Sequence, residues 1–268
     1  VENEDQSLEL MFDDFDNFEH WGKSGPKGYF VTDSEGRKKH LTNVTADKAN
    51  SFLVQRGKSD QPFCLTLSFN APHAQDDDER QYIWPVRFDD YYKESIIPEP
   101  LNSDRNFFER QPDFLQGSLG RERWRWRFDT PEKFQRMMKG MYRMVSGVDD
   151  AVGRLRDQLH KLDLAKNTII IYSSDNGMFF GERGLSDCWL LYEESIRVPL
   201  IVYDPRTIAK TQRGKVRQEM VLNLDLAPTI LDFAMIKEKP PMDGRSIKSL
   251  LLGKADNIWR EDFLCEHL

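Results

Sequence analysis

Three short runs in this chain are rich in apolar side chains: PFCLTLSF at 62–69, TIIIYSS at 168–174 and RVPLIVYD at 197–204. A strand with one face in water alternates apolar and polar residues, whereas a run that is apolar throughout has to be covered on both faces. Helical signals stand between and after these runs. Thr45 is placed to cap a helix in which Asp47 suits the first turn and Ala49, Phe52 and Leu53 recur at helical spacing. A longer helix begins at Pro131, the favoured first-turn position, and runs through EKFQRMMKGMYRMVSGVDDAVGRLRDQLHKL, with Gly147 and Gly153 as points of interruption. A last helix is expected at LDLAPTILDFAMI, with Asp225 in its opening turn. Strand, helix and strand in this order predict an α/β chain built on a parallel sheet covered on both faces. Residues 75–130 show no sustained period, as expected of a long functional or mobile connection.

Charge and cysteine usage remove several function classes. The 268 residues carry a net charge of -7, which argues against a general binder of nucleic acid or of an anionic membrane surface. No apolar stretch approaches the ~20 residues a membrane helix needs. RERWRWRFDTPEKFQRMMK, from Arg121 to Lys139, interleaves basic and aromatic residues. It reads as a helix approach with solvated charges, or as a wall for an anionic glycan. Cys64, Cys188 and Cys265 are odd in number and widely spaced, so they encode neither a disulfide framework nor a CxxC zinc site.

The run TIIIYSS ends abruptly in Asp175-Asn176-Gly177. In α/β sheets ligands gather outside the carboxyl ends of the strands. A carboxylate beside an amide oxygen offers two hard ligands, suited to Ca²⁺ or Mg²⁺ rather than zinc. Asp-Asn-Gly is equally ordinary turn chemistry, and the dipeptide alone favours the turn.

The wider context is more specific. SDNG, GERGL, YEESIRVPLIVYDP, LDLAPTILD and DGRSIKSLL follow one another in order, with PFCLTLSFNAPHA and SGVDDAVGRL upstream. Together they resemble the second half of the catalytic domain of type I sulfatases, members of the alkaline phosphatase superfamily. The resemblance implies an α/β fold with a mixed, mostly parallel central sheet and helices on both faces, here incomplete. It makes Asp175 and Asn176 half of a divalent-cation site, normally Ca²⁺ with Mg²⁺ as an alternative. His73, from the family's PH motif, becomes the residue that contacts the sulfate ester in an acid-base or oxyanion role. Arg183 stands in a GERG where many members have GEHG; it either binds an anionic group or pairs with Glu182 or Glu193 at the surface. Cys188 occupies the position of a Lys that usually neutralises the sulfate.

The same resemblance exposes what is missing. The family's nucleophile, a formylglycine made within C/S-x-P-x-R, is expected in the parent protein, but no such sequence occurs here. Ser24-Gly25-Pro26-Lys27-Gly28 has the Pro without the Arg and reads as a turn. Residues 1–268 are therefore expected to form a partial catalytic domain, without the N-terminal nucleophile segment and the small C-terminal subdomain, and inactive by itself. The implied function of the intact protein is hydrolysis of a sulfate ester on a carbohydrate or similar molecule. The alternatives are a phosphodiester or phosphonate monoester hydrolase, or a catalytically degenerate binder of sulfated glycan. The implied partner is a sulfated small molecule or glycan, with no nucleic acid and no membrane, in a periplasmic or secreted setting.

Overall fold

The computed structural model describes residues 8–16, 28–33, 35–206, 213–254 and 258–266; Ser24-Gly25-Pro26-Lys27 lies outside them. The main elements are β1 (Phe30–Thr32), β2 (Lys38–His40), α1 (Leu41–Arg56), α2 (Leu119–Arg127), α3 (Pro131–Lys161), β3 (Ile170–Ser173), β4 (Leu200–Tyr203) and α4 (Leu226–Phe233). The chain folds as two compact units, Val1–Pro98 with Thr130–Gln158, and Glu99–Asp129 with Leu159–Leu268.

The first unit is organised by α3. Phe134, Met137, Met138, Met141, Met144, Val148 and Ala151 recur every three or four residues and all are buried. They form one apolar stripe, and each fully buried side chain of this size contributes about 1.5–3 kcal/mol. The helix begins behind Thr130, whose Oγ1 accepts the Lys133 amide at 3.2 Å. Neither Gly147 nor Gly153 interrupts it. Gly140 and Gly147 instead let a neighbouring segment lie against the helix backbone. A Cβ on Gly140 would stand 3.0 Å from the rings or stems of Trp84 and Tyr82, and one on Gly147 3.1 Å from Pro85.

Helix α1 starts at Leu41, four residues before the expected Thr45. The cap is a histidine. His40 Nδ1 accepts the Thr42 amide at 3.2 Å, so Nε2 carries the hydrogen and donates to Ile83 O at 2.9 Å. Thr45 lies inside the helix with its hydroxyl bonded to Leu41 O. The run 62–69 forms no ladder among the described residues. Cys64, Thr66 and Ser68 are exposed while Phe63, Leu65, Leu67 and Phe69 are half-buried, so one face is packed and the other is wet. Phe63 meets Phe52 of α1 edge to face at 5.9 Å.

In the second unit β3 and β4 pair antiparallel, Ile170 opposite Tyr203 through Ser173 opposite Leu200. This corrects the parallel arrangement expected for these two runs. A parallel pair needs a crossover of a dozen or more residues, usually helical. The link from Ser174 to Pro199 contains only a 3₁₀ turn and the four-residue helix Glu193–Ile196. The expected parallel sheet is not assembled among the described residues, which hold two two-stranded antiparallel sheets. One face of the β3–β4 ribbon is open to solvent, with Ile201 61%, Tyr203 44% and Tyr172 36% exposed.

Candidate functional site

Asp175 and Asn176 leave the end of β3 side by side and exposed. Asp175 Oδ1 accepts from the Asn176 amide at 2.9 Å and from Ser174 Oγ at 3.2 Å. Asn223 Nδ2 reaches the carbonyls of Ser174 and Asp175 at 3.3 and 3.1 Å and ties the turn to the entry of α4. Asn176 spends its Nδ2 on Gly177 O at 2.7 Å, and its amide oxygen is not used in that bond. The turn chemistry is therefore present, and the second carboxylate oxygen of Asp175 and the amide oxygen of Asn176 remain as hard donors. Gly177 sets their position. Its amide donates to Ser195 O at 2.7 Å, and a Cβ there would lie 2.2 Å from Glu194 O.

The loop that follows folds back on itself. Phe179 N bonds Asp187 O at 2.9 Å and Gly181 N bonds Leu185 O at 3.1 Å. Arg183 sits at its tip with φ of 56°, its amide on Asn102 O and its guanidinium 4.7 Å over the Tyr192 ring. It pairs with neither Glu182 nor Glu193; Glu182 instead accepts from the Phe180 amide. Burial pushes the Glu182 carboxyl above its ordinary range, against the backbone amides that stabilise its charge. Burial likewise raises Asp187, countered by its bond from Trp189 N and by Arg123.

Cys188 is half-buried beside the exposed Trp189. Burial raises its thiol pKa, and the charges of Asp187, Arg123 and Asp175 all act on it. Helix α2 runs against the same loop. Arg121 Nη1 donates to Gly184 O at 2.9 Å, Ser186 N donates to Gly120 O at 3.0 Å, and Arg127 Nη1 bonds Ser186 Oγ at 3.1 Å. Arg123 and Asp187 were not singled out by sequence; the first is one of five arginines in a stretch read as solvated, and the second carries no motif of its own.

His73 belongs to the first unit, whereas Asp175, Asn176, Arg183 and Cys188 belong to the second. It is exposed just after a cis Ala71-Pro72 bond. Its Nδ1 lies 2.6 Å from Ala74 O, and because a carbonyl only accepts, that nitrogen carries the hydrogen. Nε2 is then the basic nitrogen of the neutral ring. The Tyr29 hydroxyl lies 2.9 Å from Asn70 O and 2.6 Å from His73 O and braces this turn.

The Sulfatase family profile matches residues 2–236. The chain belongs to the sulfatase family. The N-acetylglucosamine-6-O-sulfatase of Bacteroides thetaiotaomicron is 28% identical over 316 residues, which cover 91% of this chain and 54% of that protein. A structure solved with its substrate D-glucosamine-2-N,6-O-disulfate matches at TM-score 0.66 and 27% identity, over 84% of this chain and 55% of that one. The phosphonate monoester hydrolase from Silicibacter pomeroyi matches at TM-score 0.71 and 19% identity, over 96% of this chain and 51% of that one, a likeness of fold alone. The α/β class is that of these sulfatase-like structures, and the chain spans about half the length of the family relatives it matches. Among the described residues no group of three or more His, Cys, Asp or Glu is arranged to hold a metal ion, and no helix is long and apolar enough to cross a membrane.

Proposed function

We propose that residues 1–268 form the cation- and sulfate-facing part of a hydrolase of sulfate esters, with a sulfated carbohydrate as substrate. The observation that carries this reading is the exposed pair Asp175 and Asn176 at the end of β3, each with a side-chain oxygen not engaged within the turn, in a chain of the sulfatase family. The donors suit Ca²⁺, with Mg²⁺ second, because both are hard and neither is a thiolate or imidazole. Two ligands are few against the six to eight oxygens calcium takes, so Asp175 and Asn176 would supply only part of its coordination. Calcium held there would supply charge neutralisation at the sulfate, and a formylglycine, not encoded in these residues, would supply the nucleophile.

The remaining roles fall to side chains of this chain. His73, with its hydrogen fixed on Nδ1, presents a basic Nε2 that takes up or returns a proton at the ester oxygen. Arg183, held at the loop tip by its own backbone and by Tyr192, offers a planar fork to an anionic substituent of the sugar. Cys188 brings no fixed positive charge to the position where the family usually has a Lys.

The test uses the gene's complete product and D-glucosamine 6-sulfate with calcium. Release of inorganic sulfate that is lost on Asp175→Ala and His73→Ala supports the reading. Selective cleavage of a phosphonate monoester would move the protein to the other hydrolase class. Binding of the sulfated sugar without any turnover would make it a degenerate binder.

A further inference from the structure

We propose that Arg123 supplies the sulfate-binding positive charge of this site, from helix α2, beside Cys188. The inference rests on the reading of the site given above. Gly120, Arg123 and Arg127 recur at i, i+3 and i+7, so they share one face of α2. That face is seated on the Gly184–Trp189 loop at both ends. At the N-terminal end Gly120 lies so close to Asp187 that a Cβ would stand 1.7 Å from its Oδ2, and at the other end Arg127 bonds Ser186. Arg123, between these two anchors, has its guanidinium carbon 4.5 Å over the Trp189 ring.

That stack orients the group in a way suited to an oxyanion. A guanidinium lying on an indole uses the face of its plane, while its five N–H donors point outward along the edge. A fork of five donors stays multidentate after one neighbouring acceptor is engaged, and it matches the paired oxygens of a sulfate. Trp189 is itself 41% exposed, and Arg123 beside it is half-buried, with its Nε out of solvent. The Trp189 ring under Arg123 belongs to the residue next to Cys188, and the Gly184–Trp189 loop that carries the thiol is the one on which α2 is seated. Arg183 stacks separately on Tyr192, and Arg121 on Phe108 and Trp124 at 3.7 Å each.

The experiment is calorimetric titration of the full chain, with calcium present, using D-glucosamine 6-sulfate and D-glucosamine. The wild type is expected to prefer the sulfated sugar. Arg123→Gln is expected to weaken the sulfated sugar by about tenfold or more, the size of a lost charged hydrogen bond, without changing the unsulfated one. Arg123→Lys keeps the charge and restores part of the loss; Arg125→Gln, one residue-pair away and exposed, stays within twofold. Circular dichroism and thermal melting establish that each variant is folded, and Arg123→Lys carries the test if Arg123→Gln is not. A lysine variant equal to wild type together with a glutamine variant also equal to wild type overturns the role of Arg123 and leaves the sulfatase reading standing. No preference for the sulfated sugar in the wild type overturns both.

Discussion

Arg260 holds Asp225 with both terminal nitrogens, Nη1 at 2.5 Å from Oδ2 and Nη2 at 2.9 Å from Oδ1. The carboxylate is fully buried at the start of α4 and also accepts the amides of Leu222 at 2.8 Å and Arg245 at 2.7 Å. Burial alone would raise its pKa. Arg260 and the two amides outweigh that penalty and hold it below the ordinary carboxylate value.

Arg260→Gln is therefore expected to destabilise the second unit by about 3 kcal/mol, because it leaves a buried charge without its partner. The sign of the pH dependence follows from the depressed pKa. The stabilisation is complete above an unfolded carboxyl pKa of about 3.9 and is lost as pH falls toward the lower folded value. Urea unfolding of wild type and Arg260→Gln at neutral pH and at about pH 3 checks this; the gap between them should narrow in acid.

The glycines of α3 make opposite predictions. Gly153→Ala adds a Cβ that meets nothing within 4 Å and removes the conformational cost of glycine in a helix. A gain of about 0.5–1 kcal/mol is expected. Gly140→Val forces branched carbon into Trp84 and Tyr82 and should cost about 1–3 kcal/mol. Thermal melts of the two variants in opposite directions would bear this out; two losses would mean that Gly153 also has a packing role.

Gly177→Ala should disturb the candidate cation site without altering a donor atom. The new Cβ would need to clear Glu194 O, so the Asp175-Asn176 turn has to shift away from the Glu193–Ile196 helix. Calcium titration followed by calorimetry is the measurement, with wild-type binding expected in the weak range of about 10⁻⁴–10⁻³ M. Gly177→Ala should weaken it further, while tight binding in the wild type would mean that more ligands are at hand than Asp175 and Asn176.

Residues 1–268 alone should not turn over an activated aryl sulfate such as 4-nitrophenyl sulfate in the presence of calcium. No formylglycine is encoded, and neither the His73 imidazole nor the Cys188 thiol, whose pKa burial raises, replaces it. Losses within a catalytic unit are not additive, so absence of the nucleophile suffices. Turnover that disappears on His73→Ala or Asp175→Ala would reveal a nucleophile among the residues present.

The sequence was most legible where a period was long. The stripe from Phe134 to Ala151 showed through because α3 buries one continuous face, and the sulfatase motifs showed through because their order is hard to meet by chance. Helix α1 begins earlier than expected because a histidine, not a threonine, accepts the Thr42 amide in its first turn. The 62–69 run alternates Phe63, Leu65, Leu67 and Phe69 with Cys64, Thr66 and Ser68, the pattern of a segment packed on one side only. The direction of β4 depended on the link from Ser174 to Pro199, which has no periodic signal. Arg123 was hidden among five arginines, since only the packing of α2 distinguishes the one lying on Trp189.

The two-stranded pairing of β3 has a consequence for how the chain opens. In an antiparallel ribbon about half the amides of each strand point away from the partner, and a pair of strands without a third is marginal by itself. The strand that delivers Asp175 should therefore exchange its outward amides with deuterium quickly, as a separate unit of low local stability, while the buried stripe of α3 exchanges only on deep unfolding. A strand laid against the outer edge of β3 would slow that exchange and, by the same local free energy, hold Asp175 and Asn176 in place for a cation. The affinity of the turn would then be set as much by what completes the ribbon as by the two oxygens themselves.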